Sequence, residues 1–183
     1  MRKVIILGLK LFLLAAVAGL ALGVTNMVTS GAIAEQQVKA AEAARRAVLP
    51  SADHFTALTA PEGLKEAFAG YDAGGKLVGK TATIVTKGYG GEIEITVGAD
   101  NNGVVTGISV GGSSFSETAG LGARAKEAWF AEQYIGKSSP IALAKDGGEI
   151  DAITSATITS RAVTTAVNNA VLALTGLTPP TEG

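Results

Sequence analysis

The sequence contains no cysteine and only one histidine, His54. Without cysteine the chain has no disulfide bonds, no thiolate nucleophile and no cysteine-ligated zinc or iron–sulfur centre. A single histidine also excludes a metal site built from several histidines and a haem held by two of them. Chemistry on this chain therefore depends on hydroxyl, carboxyl, amino and backbone groups, or on an acquired cofactor.

The chain also lacks an excess of charge of either sign, with 15 Lys and Arg against 16 Asp and Glu in 183 residues. Proteins that bind nucleic acid need a clustered basic surface, so we expect no nucleic-acid partner. Glycine, in contrast, is abundant at 24 residues, about twice the average share. The length is sufficient for one ordinary domain and a short appendage.

A long apolar run occupies residues 4–24, and Lys10 is its only charged residue. A helix of this length spans about 30 Å, the thickness of the hydrocarbon core of a bilayer. Arg2 and Lys3 precede the run, and a stretch without basic residues follows it. The positive-inside rule then predicts a single-pass anchor in the cell (inner) membrane, with a cytoplasmic N-terminus and an extracytoplasmic remainder.

Two other interpretations of the apolar run are open. Ala32, Ile33 and Ala34 resemble the A-x-A site of a cleaved signal peptide, although they lie well beyond a run that is long for a signal sequence. A core helix of a soluble domain is the other, but such a helix carries polar residues on one face and this run has almost none. Both observations favour an uncleaved anchor.

The rest of the chain alternates between helical and strand-like patterns. An alanine-rich segment favours a linker helix that ends before Pro50. Residues 51–75 are mixed, with chain breakers at Pro61 and at the Gly74-Gly75 pair. The predicted elements that follow are strands over 81–87, 92–97 and 104–110, a short helix over 126–134 and an amphipathic helix over 159–174.

These elements predict an α+β fold with a mostly antiparallel sheet and flanking helices. We divide the chain into a transmembrane anchor at 1–28, a linker helix at 29–50, one extracytoplasmic domain at 51–177 and a tail at 178–183.

A cluster of hydroxyl side chains directly precedes the amphipathic helix. Five of the seven residues from Thr154 to Ser160 are serine or threonine. Serine and threonine are common helix N-caps, so capping is one interpretation. The other is a phosphate site, because the free N–H groups and the dipole at a helix N-terminus stabilise an anion. Arg161 follows in the first turn, either as a partner of that phosphate or as an unpaired surface residue.

Residues 151–157, Asp-Ala-Ile-Thr-Ser-Ala-Thr, resemble the flavinylation motif Asp-x-x-Ser/Thr-Gly-Ala-Thr of the FMN-binding domain family. Asp151, Thr154, Ala156 and Thr157 match the motif, and Ser155 stands where glycine is usual. In the family, a flavin transferase that uses FAD and Mg²⁺ esterifies the last threonine with the phosphate of FMN. The resemblance therefore implies covalent FMN at Thr157, with the preceding motif residues around the cofactor.

A second segment, Glu-Thr-Ala-Gly-Leu-Gly at residues 117–122, resembles the Glu-Thr-Pro-Gly-Leu-Gly loop of the same family, which lies near the flavin ring. Glycines let the backbone pack close to a flat ring and leucine can cover one face, although glycines also mark ordinary surface loops. Glu117 is either an acid near the flavin or a plain loop carboxylate. The residues of this loop that the resemblance assigns to FMN are Glu117, Thr118, Gly120, Leu121 and Gly122.

The family includes the G subunit of the Rnf electron-transport complex and the C subunit of the sodium-translocating NADH:quinone reductase. The short length and the single attachment motif favour the G subunit. The resemblance then implies a flavoprotein subunit of an ion-translocating ferredoxin:NAD oxidoreductase, without a complete activity of its own, whose partners are the other membrane subunits and the flavin transferase. The open alternatives are the C subunit, a stand-alone FMN-binding reductase domain, and a pilin-like or adhesion surface protein.

Overall fold

The computed structural model describes residues 2–178, so residues 179–183 of the predicted tail lie outside the described part. The first element, α1, is one helix, Arg2–Val48. It is long and apolar enough to cross a membrane, and none of its apolar window is buried. It ends two residues before Pro50, as the sequence predicts. The chain divides into two compact units, Met1–Ala40 and Ala41–Gly183.

The second unit is built on a five-stranded sheet. Its strands are β1 (His54–Leu58), β2 (Glu66–Tyr71), β3 (Leu77–Lys87), β4 (Glu92–Asp100) and β5 (Val105–Gly111). The strands lie in chain order and every neighbouring pair is antiparallel. The predicted α+β fold with an antiparallel sheet is therefore confirmed, and β3, β4 and β5 overlap the three predicted strands.

The sequence pattern does not predict β1 and β2, which lie in the segment expected to be mixed. β2 consists largely of alanine and glycine between its aromatic residues, and these small residues have little intrinsic strand propensity. Ala67 and Ala69 are nevertheless buried in the sheet, where β2 pairs with both β1 and β3. Pairing with neighbouring strands, rather than local propensity, makes this segment a strand.

Two α-helices and two 3-10 helices follow the sheet within residues 112–178. They are the 3-10 helix Gly122–Lys126, α2 (Ala128–Glu132), the 3-10 helix Ala144–Asp146 and α3 (Thr157–Gly176). α3 packs against β3 and β4, and its buried stripe joins Ile93 and Ile95 of β4 in the core. The apolar residues whose spacing predicts this helix are thus the residues that it buries.

One end of the sheet, which we call the docked end, contains the starts of β1, β3 and β5 and the ends of β2 and β4. Val48 and Leu49, which are 1% and 0% exposed, pack there against one glycine on each of four strands. These glycines are Gly70, Gly79, Gly98 and Gly107. Thr106 Oγ1 also donates a hydrogen bond to the Val48 carbonyl at 2.5 Å. A Cβ at Gly98 would lie 2.2 Å from the Val48 carbonyl oxygen, so the contact requires glycine.

The C-terminus of α3 is capped by a lysine from the sheet. Lys80 Nζ donates to the carbonyl of Leu174 at 3.0 Å and also to that of Leu177. These are carbonyls that a helix end leaves without a partner, and a cation there is favoured by the helix dipole. Burial lowers the pKa of the Lys80 ammonium.

The opposite end, which we call the open end, contains the β3–β4 turn at residues 88–91, the chain that leaves β5, and the N-terminus of α3. It carries both segments that the sequence analysis singles out.

Candidate functional site

The carboxylate of Glu117 joins three separate segments at the open end. Its Oε1 accepts a hydrogen bond from the Gly90 N–H at 2.9 Å. Its Oε2 accepts a hydrogen bond from the Thr159 hydroxyl at 2.6 Å. The β3–β4 turn, the 117–122 loop and the first turn of α3 therefore meet at one side chain.

Two glycines provide the space that this carboxylate occupies. A Cβ at Gly88 would lie 2.3 Å from Glu117 Oε1, and a Cβ at Gly122 would lie 2.2 Å from Oε2. A Cβ at Gly90 would lie 2.1 Å from the carbonyl oxygen of Ser116. The space beside Gly122, which the sequence analysis assigns to a ring, is thus taken by Glu117.

The N-terminus of α3 has no side-chain cap. Its N-cap residue is Ala156, and no side-chain hydrogen bond caps the helix. The first N–H groups of a helix have no partner within the helix, and they lie at the positive end of its dipole. Capping by the hydroxyl cluster is therefore the wrong interpretation, and this end of the helix is suited to an anion.

The hydroxyl groups around this turn fall into two sets. Thr159 and Ser160 are buried, and Ser160 Oγ accepts from the Ile153 N–H at 2.9 Å and donates to the Ala156 carbonyl at 3.0 Å. Thr154 and Thr157 are exposed. The buried pair holds the turn in place, and the exposed pair is accessible at the surface.

Ser155 adopts a left-handed backbone conformation, with φ of 61°, the only positive φ at a non-glycine residue in the described part of the chain. Such a conformation costs an L-residue about 1–2 kcal/mol and costs glycine almost nothing. Glycine is usual at this motif position, and the turn before α3 supplies the physical reason. Asp151, at the start of the motif, is exposed, and its backbone N–H donates to Gln133 Oε1 at 2.7 Å.

The remaining loop residues shape a surface turn. The Thr118 carbonyl accepts from the N–H groups of Leu121 and Ala123, both at 3.1 Å. Gly120 has φ of 76° and open space around it. Leu121 is 39% exposed, so its side chain is available to a neighbouring group.

Two further apolar side chains, which the sequence analysis does not identify, are exposed on the segments that Glu117 joins. Tyr89 on the β3–β4 turn is 71% exposed, and Ile158 beside Thr157 is 57% exposed. Ile158 has no signal in the sequence beyond its place beside Thr157, and Tyr89 belongs to the segment Gly88-Tyr89-Gly90-Gly91, which also resembles the family. With Leu121 they are exposed apolar side chains on each of the three segments that Glu117 joins.

Arg161 is engaged by a carboxylate of the chain itself. Its guanidinium donates to both carboxylate oxygens of Asp146, at 3.0 and 3.1 Å from Nη2. It is therefore neither unpaired nor committed to an anion at the helix N-terminus.

Comparison with known proteins identifies the family. The family model of the FMN-binding domain matches residues 88–172, which include the β3–β4 turn, the 117–122 loop and most of α3. The chain is 42% identical to the G subunit of the Na(+)-translocating ferredoxin:NAD(+) oxidoreductase complex of Acetobacterium woodii, over 90% of this chain and 88% of that protein. The chain belongs to the FMN-binding domain family.

Two further relatives of this FMN-binding domain protein are also G subunits. That of the proton-translocating ferredoxin:NAD(+) oxidoreductase complex of Clostridium ljungdahlii is 33% identical, over 88% of this chain and 86% of that protein. That of the ion-translocating oxidoreductase complex of Escherichia coli is 37% identical, over 80% and 79%. A solved structure of the C subunit of Na(+)-translocating NADH-quinone reductase from Parabacteroides distasonis has a TM-score of 0.49 at 20% identity, over 62% and 64%.

Proposed function

We propose that this chain is the membrane-anchored G subunit of an Rnf-type ion-translocating ferredoxin:NAD oxidoreductase complex. In this proposal it relays electrons through FMN joined to Thr157 by a phosphoester. Relatives that align over most of their own length and bear the name of such G subunits support the first part. The observation that carries the second part is the exposed Thr157 at the uncapped N-terminus of α3.

The residues of the open end fit both halves of FMN. The N–H groups and dipole of the first turn of α3 stabilise the negative charge of a phosphate. The exposed side chains of Tyr89, Leu121 and Ile158 offer apolar surface to an aromatic ring and exclude water from it. Bound FMN supplies the one-electron and two-electron transfer that a chain without cysteine cannot perform itself.

Thr157 is a better attachment residue than either of its neighbours. Thr159 is 1% exposed, and its hydroxyl already donates to Glu117. Thr154 is exposed, but it precedes the left-handed turn at Ser155 and lies outside the first turn of α3. Of the three threonines, Thr157 is the one that combines an accessible hydroxyl with a place in the first turn of α3.

Attachment of FMN requires a partner enzyme, a flavin transferase that uses FAD and Mg²⁺. In this step Thr157 Oγ forms a bond to the phosphorus of the FMN half, while the pyrophosphate bond of FAD breaks and AMP leaves. The hydroxyl proton is released. The exposure of the turn before α3 gives such an enzyme access to Thr157.

The apolar part of α1 serves as the membrane anchor in this proposal. The basic residues Arg2 and Lys3 favour a cytoplasmic N-terminus and an extracytoplasmic flavin domain. One helix provides no pathway for an ion, so translocation belongs to the assembled complex. The other membrane subunits of that complex are the partners that donate and accept electrons.

The proposal is tested by intact-mass analysis of the chain coexpressed with a flavin transferase. We expect wild type and Thr165→Ala, which removes an exposed threonine of α3 outside the motif, to gain the mass of FMN less one water, with flavin absorbance that survives denaturation, and Thr157→Ala to gain nothing. An equal adduct on Thr157→Ala contradicts Thr157 as the attachment site. The absence of an adduct on wild type contradicts the proposal that this chain carries covalent FMN. Copurification with other membrane redox subunits separates a member of a complex from a stand-alone reductase.

A further inference from the structure

We propose that Glu117 is a positioning residue of the flavin site. Its carboxylate holds the β3–β4 turn and the 117–122 loop against the first turn of α3, so that the ring of FMN on Thr157 is kept in one orientation. This inference rests on the proposed function. It replaces both interpretations available from the sequence, an acid near the flavin and a plain loop carboxylate.

Both oxygens of the carboxylate are already in use. One accepts from the backbone of Gly90 at 2.9 Å and the other from the hydroxyl of Thr159 at 2.6 Å. Hydrogen bonds to an ionised acceptor are shorter and about twice as strong as neutral ones. Glu117 is half-buried, and it binds two segments of its own chain, as expected of a group that holds the backbone in place.

The surroundings of the carboxylate are shaped to receive it. Thr159 is 1% exposed, so its hydroxyl has no access to water as an alternative partner. Gly88 and Gly122 flank the two oxygens, and any larger residue at either position would place a Cβ within 2.3 Å of them. Loss of Glu117 therefore removes the acceptor that joins the Thr159 hydroxyl to the Gly90 N–H, and it leaves an empty space between two glycines.

The consequence for the flavin follows from the chain order. Each exposed apolar side chain of the site directly adjoins a residue that meets Glu117 or makes room for it. Tyr89 precedes Gly90, Leu121 precedes Gly122, and Ile158 precedes Thr159. One carboxylate thus holds together the three segments that carry these exposed apolar side chains and Thr157, and in this proposal it sets how they meet the ring.

A positioning role depends on the length of the side chain at position 117, whereas a role as an acid or as a required charge depends on its carboxylate. Gln in place of Glu117 has the same length, and it can accept from Gly90 through its oxygen and donate to the Thr159 hydroxyl oxygen through its amide, while the threonine proton turns to a backbone carbonyl of the preceding turn. Asp keeps the charge but is one methylene too short to meet both partners. If Glu117 positions the flavin, Glu117→Gln keeps the wild-type flavin site, whereas Glu117→Asp and Glu117→Ala lose it. If Glu117 instead acts as an acid or as a required charge, Glu117→Asp keeps the function and Glu117→Gln loses it.

The experiment uses the full-length chain coexpressed with the flavin transferase. Wild type, the three Glu117 variants and Thr159→Val are compared with Asp53→Asn, which removes an exposed carboxylate at the docked end. Intact mass measures FMN attachment, and flavin fluorescence anisotropy measures the mobility of the flavin ring. The midpoint potential of the flavin reports changes in the surroundings of the ring, and hydrogen exchange reports whether the Gly90 amide is hydrogen-bonded.

We expect every variant to carry FMN, because none of them alters Thr157 or its motif. In Glu117→Ala and Glu117→Asp the flavin anisotropy falls, the midpoint potential moves, and the Gly90 amide exchanges about tenfold faster, since one charge-assisted hydrogen bond is lost. Glu117→Gln and Asp53→Asn remain close to wild type. Thr159→Val lowers the anisotropy in the wild-type background and adds nothing to Glu117→Ala.

Unchanged flavin anisotropy and midpoint potential in Glu117→Ala overturn the inference. Wild-type anisotropy in Glu117→Asp together with lowered anisotropy in Glu117→Gln overturns it as well. A wild-type chain without FMN overturns the proposed function instead. In those flavin-free samples Gly90 exchange still reports whether Glu117 holds the turn, and equal exchange in wild type and Glu117→Ala overturns the inference by itself.

Discussion

The two ends of the sheet use glycine for opposite purposes. At the docked end, glycines on four strands receive Val48 and Leu49, and the limiting contacts include the backbone oxygen of Val48. At the open end, Gly88 and Gly122 receive the carboxylate of Glu117, which lies at the end of a flexible side chain. One end is closed by apolar packing, and the other is held by hydrogen bonds.

The two ends of α3 differ in the same way. Its C-terminus, at the docked end, has Lys80 bound to its carbonyls. Its N-terminus, at the open end, has no side-chain cap and is preceded by Ser155 in a left-handed conformation. Features that cost stability are therefore concentrated where we propose that the cofactor binds, as expected for functional sites.

The largest expected effect is at the docked end, for Gly98→Ala. The added Cβ meets the backbone oxygen of Val48 at 2.2 Å, so strand and helix end have to separate. We expect a loss of about 3 kcal/mol in the free energy of unfolding, measured by urea unfolding in detergent with Trp129 fluorescence. Gly111→Ala, where a Cβ has no neighbour within 4 Å, is the control and changes stability little. Equal losses in both variants contradict the account of the docked end.

A smaller loss is expected for the same substitution at the open end, Gly122→Ala. Its Cβ meets Glu117 Oε2 at 2.2 Å and Thr159 Oγ1 at 2.7 Å, and a side chain moves more easily than backbone. We expect a loss of about 2 kcal/mol, which is within the range for one hydrogen bond to a charged group, together with altered flavin anisotropy. A loss as large as that of Gly98→Ala, with an unchanged flavin signal, would remove the distinction between the ends.

The smallest effect is a gain, for Ser155→Gly. Glycine adopts a φ of 61° without the penalty that serine incurs, so we expect up to about 1 kcal/mol of added stability. FMN attachment should persist, since intact mass depends on Thr157. Ser114→Gly, at an exposed serine of ordinary φ, is the control and lowers stability slightly. A destabilised Ser155→Gly chain refutes the strain assigned to this turn.

The sequence predicts the elements with strong periodicity. The apolar spacing along α3 and the alternation in β4 identify those elements to within a few residues. β1 and β2 escape prediction because they form by pairing with each other and, for β2, with β3, which is a non-local property. The short helix predicted at 126–134 is observed as α2, and the 3-10 helix Gly122–Lys126 before it is not predicted.

The site is predicted less completely than the fold. The motif identifies Thr157 and its neighbours, but the partners of Glu117 lie 27 and 42 residues away along the chain. No local pattern indicates such contacts. The hydroxyl cluster suggests a cap, whereas the turn at Ser155 places Ala156 at the N-cap position and sends the hydroxyl of Ser160 inward. Arg161 likewise finds Asp146, which the sequence does not pair with it.

Localisation of FMN within one tryptic peptide tests the central claim most directly. Cleavage after Lys145 and Arg161 releases residues 146–161, which contain Thr154, Thr157 and Thr159 together. Fragmentation of this peptide from the chain matured by a flavin transferase is expected to place the whole FMN mass on Thr157. FMN on another residue of the peptide, or a peptide without FMN, would contradict the account.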